Sequence, residues 1–77
     1  MGNNTEFYRT VIRVPKADSA FVYFQLEANE GVCFYSTLKE SLGESYRDIM
    51  VTTDPSYEDE TKRILEFLQK SIAFEFL

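Results

Sequence analysis

The side chains able to do chemistry in this chain are few, and their spacing decides what each can do. There is one cysteine, Cys33, and no histidine. A nucleophilic thiol needs a base or cation beside it; without an imidazole, Cys33 reads as a small apolar residue buried on a strand. Glu27 and Glu30 stand three apart, so a helix brings them to one face as paired carboxylates or metal ligands. With no third ligand at a recognisable spacing, a solvated helix face explains them better. Glu27 lies next to Leu26 and can also reach a strand cation, Arg9 or Arg13. The acidic run Glu58-Asp59-Glu60 suggests a bound cation, but a helix N-terminus favours each such charge by about 0.3–1 kcal/mol. Only three glycines are present, leaving no phosphate cradle. Ser/His/Asp arrangements cannot be built. The chain reads as non-catalytic, with no cofactor and no metal expected.

Arg9 and Arg13 are the more informative charges. On one strand they point the same way, interleaved with Phe7 and Val11. Cys33 and Tyr35 are expected on that side too, if the next strand keeps the same register. Guanidinium groups among aromatic rings suit an anion or a single-stranded nucleic acid, or an ion-paired interface between two protein surfaces. Charge chooses between them. Eight basic residues against thirteen acidic give a net charge of −5, whereas nucleic-acid affinity comes largely from Lys and Arg neutralising phosphates. The balance argues against a nucleic-acid partner.

The elements that must hold these residues follow from periodicity. Residues Glu6–Val14 alternate, with Tyr8, Thr10, Ile12 and Val14 forming the better core face, and Pro15 ends the ladder. Asp18 or Ser19 opens a helix over Asp18–Asn29, whose stripe Ala17, Ala20, Phe21, Phe24 and Ala28 suits packing on a sheet. Val22, Tyr23 and Leu26 form a second apolar side on that helix, and Gly31 closes it. Val32–Leu38 and Tyr46–Thr53 read as strands joined by a short connection, hence antiparallel, with Ile49 and Val51 inward. Asp54-Pro55-Ser56 starts a second helix over Ser56–Ser71, with Ser56 and Asp59 resembling a capping box. Its buried stripe is Tyr57, Thr61, Ile64, Leu65, Leu68 and Ile72. Residues 73–77 form a short terminal strand or a helix extension; a strand beside the first is favoured.

This β-α-β-β-α(β) order predicts an α+β, ferredoxin-like domain: an antiparallel sheet with two helices packed on one face. The RNA-recognition version of that fold places stacking aromatics on its central strands with a specific third-strand motif, whereas the third strand here offers only Tyr46 near its start and has Asp48 on one side. At 77 residues one domain is expected, with residues 1–5 a disordered N-terminus. An apolar fraction of 44%, including seven Phe and five Tyr, supplies a core that needs no disulfide. A reducing cytoplasm is the expected location. No apolar run approaches the roughly 18 residues a bilayer span needs. Residues 1–6 lack the basic start and apolar stretch of a secretion signal, and Glu6 stands where a myristoylation motif has Ser or Thr.

The run Ala20-Phe21-Val22-Tyr23-Phe24-Gln25-Leu26-Glu27-Ala28-Asn29-Glu30-Gly31, followed by Tyr35-Ser36-Thr37-Leu38, resembles a small bacterial family, domain-of-unknown-function family forty-nine eleven. That family has a similar aromatic helix ending in Leu-Glu, two variable positions and Glu-Gly, then a strand ending near Thr-Leu. The resemblance covers most of residues 7–72. Ser19 and Asn29 depart from it, standing where the family has large apolar or aromatic residues. It implies a bacterial cytosolic βαββα domain and no particular activity.

A sheet with one covered face leaves Phe7, Arg9, Val11, Arg13, Cys33 and Tyr35 on an uncovered face too apolar for comfortable solvation. The expected role is therefore a small interaction or regulatory module. It would act through that face or through Val22, Tyr23 and Leu26 of the first helix. A second copy of the chain is the first partner expected, a different protein the second, with no membrane partner. The alternative is a regulatory domain binding a small molecule at a dimer interface, by analogy of fold.

Overall fold

The computed structural model describes residues 7–29 and 31–77. The disorder expected for residues 1–5, and the pairing of Glu27 with Glu30, lie outside the described residues. The elements run β1 (Tyr8–Pro15), α1 (Ser19–Ala28), β2 (Phe34–Thr37), β3 (Tyr46–Thr53), α2 (Glu58–Gln69) and β4 (Glu75–Phe76). The protein is α+β, with one four-stranded antiparallel sheet in the order β2-β3-β1-β4.

β1 and β3 pair along their full lengths, with Ile12 opposite Ile49 and Thr10 opposite Val51. Cross-strand partners share a face, so the alternation read from each strand selects the same side in both. Ile12, Val14, Ile49 and Val51 are buried there with Val22 and Leu26 of α1, Leu65 and Leu68 of α2, Cys33 and Ile72. α2 buries Thr61, Leu65 and Leu68, as its spacing predicts. Tyr57 is exposed, because it belongs to a 3₁₀ turn before the helix rather than to the helix. The tail is strand: Phe76 pairs with Ile12 and Glu75 with Arg13, and the Leu77 N–H donates to the Val11 carbonyl at 2.8 Å.

The junctions are held by local hydrogen bonds. After Pro15 a 3₁₀ turn (Lys16–Asp18) leads into α1, where the Ser19 hydroxyl donates to the Lys16 carbonyl at 2.8 Å. Asp18 occupies the N-cap position without a side-chain bond. Past the helix, Gly31 has φ +94°, a left-handed conformation in which a Cβ would be strained. Asp54 Oδ1 accepts from the Ser56 N–H at 2.9 Å, setting up the 3₁₀ turn Pro55–Tyr57. The expected Ser56/Asp59 capping box does not form, because Tyr57 takes the N-cap position of α2. Between β2 and β3, Arg47 Nη1 donates to the carbonyls of Ser41 (3.1 Å) and Glu44 (2.9 Å). That fastens the connection to the sheet.

One expectation for α1 is reversed. Its Ala17, Ala20, Phe21, Phe24 and Ala28 stripe faces outward, and Val22 and Leu26 face the sheet. A helix apolar nearly all round gives periodicity no side to prefer. Specific contacts fix the rotation: the Tyr23 hydroxyl is hydrogen-bonded to Thr37 Oγ1, and its ring stacks on Tyr35 with centroids 5.2 Å apart.

Candidate interaction face

Register determines which side chains share the sheet face opposite the buried cluster. Arg9 pairs with Thr52, which pairs with Phe34 on its other side; Val11 pairs with Met50 and then Ser36; Arg13 pairs with Asp48. Along β4, Glu75 lies opposite Arg13. Alternation adds Phe7, Tyr46 and Leu77 to this face. Phe7, Arg9, Val11 and Arg13 are thus brought together as their spacing predicts. At its centre Val11 and Met50 are half-buried, while the flanking Phe7, Phe34 and Leu77 are 54%, 62% and 60% exposed.

The five other predicted residues do not lie on this face. Tyr35 pairs with Val51, so it points to the helix side, and Cys33 is 3% exposed inside the core. Phe34, not Tyr35, has the parity of Met50 and Thr52. Val22 and Leu26 are fully buried in the cluster and present no surface. Tyr23 is half-buried and engaged with Thr37 and Tyr35. Glu27 bonds neither arginine: its Oε2 accepts from the Tyr35 hydroxyl at 3.0 Å. Burial, and then this carboxylate, push the Tyr35 phenol above its ordinary pKa.

The electrostatics of the face centre on one pair that sequence reasoning missed. Arg13 Nε donates to Asp48 Oδ1 at 2.8 Å and Nη2 to Oδ2 at 3.0 Å, the two-point geometry a guanidinium and a carboxylate favour. The Arg13 guanidinium also lies 3.9 Å from the centre of the Tyr46 ring. The hydrogen bond to Asp48 raises the Arg13 pKa, and the bond from Arg13 holds the Asp48 carboxyl below the usual range. Arg13 is therefore neutralised within the chain, and a guanidinium platform for phosphates retains only Arg9.

Other reactive groups are similarly engaged. Burial pushes the Cys33 thiol up, away from the thiolate a nucleophile needs. Glu58 Oε2 lies 2.9 Å from Lys62 Nζ, one turn along α2. Among the described residues no group of three or more His, Cys, Asp or Glu comes together as a metal site, and no helix is long and apolar enough to cross a membrane.

Comparison of the chain with protein-family models, with curated proteins and with solved structures finds no match in any of the three.

Proposed function

We propose that this chain is a ferredoxin-like, non-catalytic interaction or regulatory module that self-associates through its open sheet face. In this reading both helices cover one side of the sheet and the other side is the working surface. The fold proposal is supported by the strand order β2-β3-β1-β4 and by one buried cluster that draws on both helices. A bacterial, cytoplasmic domain similar to family forty-nine eleven remains part of the proposal.

The observation that carries the functional reading is the composition of that face. Val11 and Met50 form an apolar centre, Phe7, Phe34 and Leu77 an exposed apolar surround, with Arg9 and Glu75 supplying one charge of each sign. Contiguous apolar area rimmed by polar groups marks an association site. A patch with its own cation and anion can meet itself across a two-fold axis without like charges colliding. Four strands spaced about 4.8 Å, with a rise of about 3.3 Å per residue, give a footprint of roughly 400–500 Å². That is below the ~800 Å² per partner of a standard interface, so a weak, reversible dimer is expected. The test is a dilution series of amide chemical shifts. Changes grouped on the alternate β1 and β3 residues of this face support the reading; concentration-independent shifts reject it.

Small-molecule sensing where two copies meet is the second reading. It is favoured by a cleft of about 470 Å³ between Arg13, Pro15, Tyr46, Phe74 and Glu75, a size within the range of ligand sites. A metabolite panel that leaves the melting temperature unmoved removes it.

A further inference from the structure

The two edges of the sheet are guarded unequally. β4 is two residues long and one of them is Glu75. β2 reads Phe34-Tyr35-Ser36-Thr37, with no charge, proline or glycine. Edge strands ordinarily carry such blunting devices, because alternate backbone N–H and C=O groups face outward unpaired. β2 pairs with β3 on one side, and among the described residues no strand pairs with it on the other.

Beside that free edge is a cleft of about 370 Å³, lined by Leu26 and Glu27 of α1 and by Cys33, Phe34 and Tyr35. Phe34 and Tyr35 project to opposite faces, so the cleft wraps the edge itself. Its lining is apolar and aromatic apart from one carboxylate. Glu27 accepts from the Tyr35 hydroxyl and has no cationic partner among the described residues.

We infer that this cleft is a strand-addition site for an extended segment of a partner protein. The segment pairs with the outward backbone groups of β2. It lays one apolar side chain against the half-buried ring of Tyr35, on the α1 side of the sheet, and sets a Lys or Arg against Glu27. Main-chain pairing supplies affinity and the cleft supplies selection. Side chains of an added strand alternate, so the apolar and basic residues that face α1 stand two apart. A second copy presenting its own β2 is the competing occupant, but β2 holds no Lys or Arg to meet Glu27. This surface shares Phe34 with the open sheet face and otherwise lies on the β2 edge and the helix side.

The experiment pans a random eight-residue peptide display library against the full chain, and titrates the enriched peptides by calorimetry. The result expected is a shared apolar-x-basic or basic-x-apolar pattern, with bound-state amide-exchange protection on Phe34–Thr37. Glu27→Gln retains an acceptor for Tyr35 and so keeps the fold; it should weaken binding by about fivefold, and Glu27→Lys further. No enrichment, winners without a basic residue, or affinity indifferent to Glu27→Lys overturns the inference. Protection centred on Val11 and Met50 overturns it in favour of the sheet face. Protection of β2 that grows with protein concentration, without peptide, assigns the edge to a second copy.

Discussion

Truncating Leu26 and truncating Phe24 should have opposite consequences to those the sequence pattern alone suggests. The two lie on one helix two residues apart, but Leu26 is 1% exposed and Phe24 is 66% exposed. Leu→Ala in a packed core costs about 2–5 kcal/mol, the spread reflecting how far the cavity collapses. At roughly 3 kcal/mol, Leu26→Ala would remove a large part of the stability of so small a domain. With about 4–8 °C per kcal/mol at this size, it lowers Tm by roughly 12–24 °C. Phe24→Ala gives up only about a third of a buried ring, about 1 kcal/mol when scaled from full core truncation. Part of that is offset by the better helix propensity of Ala, about 0.5 kcal/mol. Its net cost is therefore about 0.5 kcal/mol or less. Urea unfolding followed by circular dichroism measures both. If Phe24→Ala costs as much as Leu26→Ala, α1 packs through its other stripe and the assignment of its faces is wrong.

Further outcomes follow from single sites. Thr61 Oγ1 is buried with no hydrogen-bond partner among the described residues, so Thr61→Val should raise stability by about 1 kcal/mol in a denaturant titration. The Asp48 carboxyl is held below its ordinary 3.8 by the bond from Arg13. Its contribution is fully present above that value and is lost as pH falls through the lower folded-state pKa. Asp48→Asn should therefore be the less stable protein at neutral pH, with the gap closing as pH falls below 3.8; a gap independent of pH contradicts the pairing. Native Cys33 should react with a thiol reagent only as fast as the protein opens, and promptly in denaturant; rapid native labelling contradicts its burial.

The parts of the fold legible in the sequence are those with an unambiguous period. β1 and β3 alternate cleanly, and α2 carries charged residues on the side away from Leu65 and Leu68, so each reveals its buried face. Asp54-Pro55 marks a chain reversal by mechanism, and the strand in the tail follows from the alternation of Phe74-Glu75-Phe76. α1 was legible as a helix but not in rotation, because Phe21 and Phe24 are as apolar as Val22 and Leu26. Its orientation depends on Tyr23 meeting Thr37 and Tyr35, contacts between residues distant in the chain. The parity of β2 was equally hidden. Its connection to β3 contains a 3₁₀ turn, Lys39–Ser41, rather than a two-residue hairpin that fixes register. Tyr35 and Cys33 therefore read from the sequence as open-face residues, and the register puts Phe34 there instead. Asp48 as partner of Arg13 required the β1–β3 register, which joins residues 35 apart in sequence.

Sedimentation velocity on the wild-type chain and on Met50→Asp, over concentrations spanning the micromolar range, distinguishes a sheet face that docks from one that does not. Met50 lies opposite Val11 at the middle of the face, and an unpaired carboxylate there must be desolvated on association. Docking through this face requires a wild-type chain that shifts from monomer to dimer with concentration, and a folded Met50→Asp that stays monomeric throughout. A wild-type chain that remains monomeric at every concentration, or a Met50→Asp that dimerises as the wild type does, contradicts it.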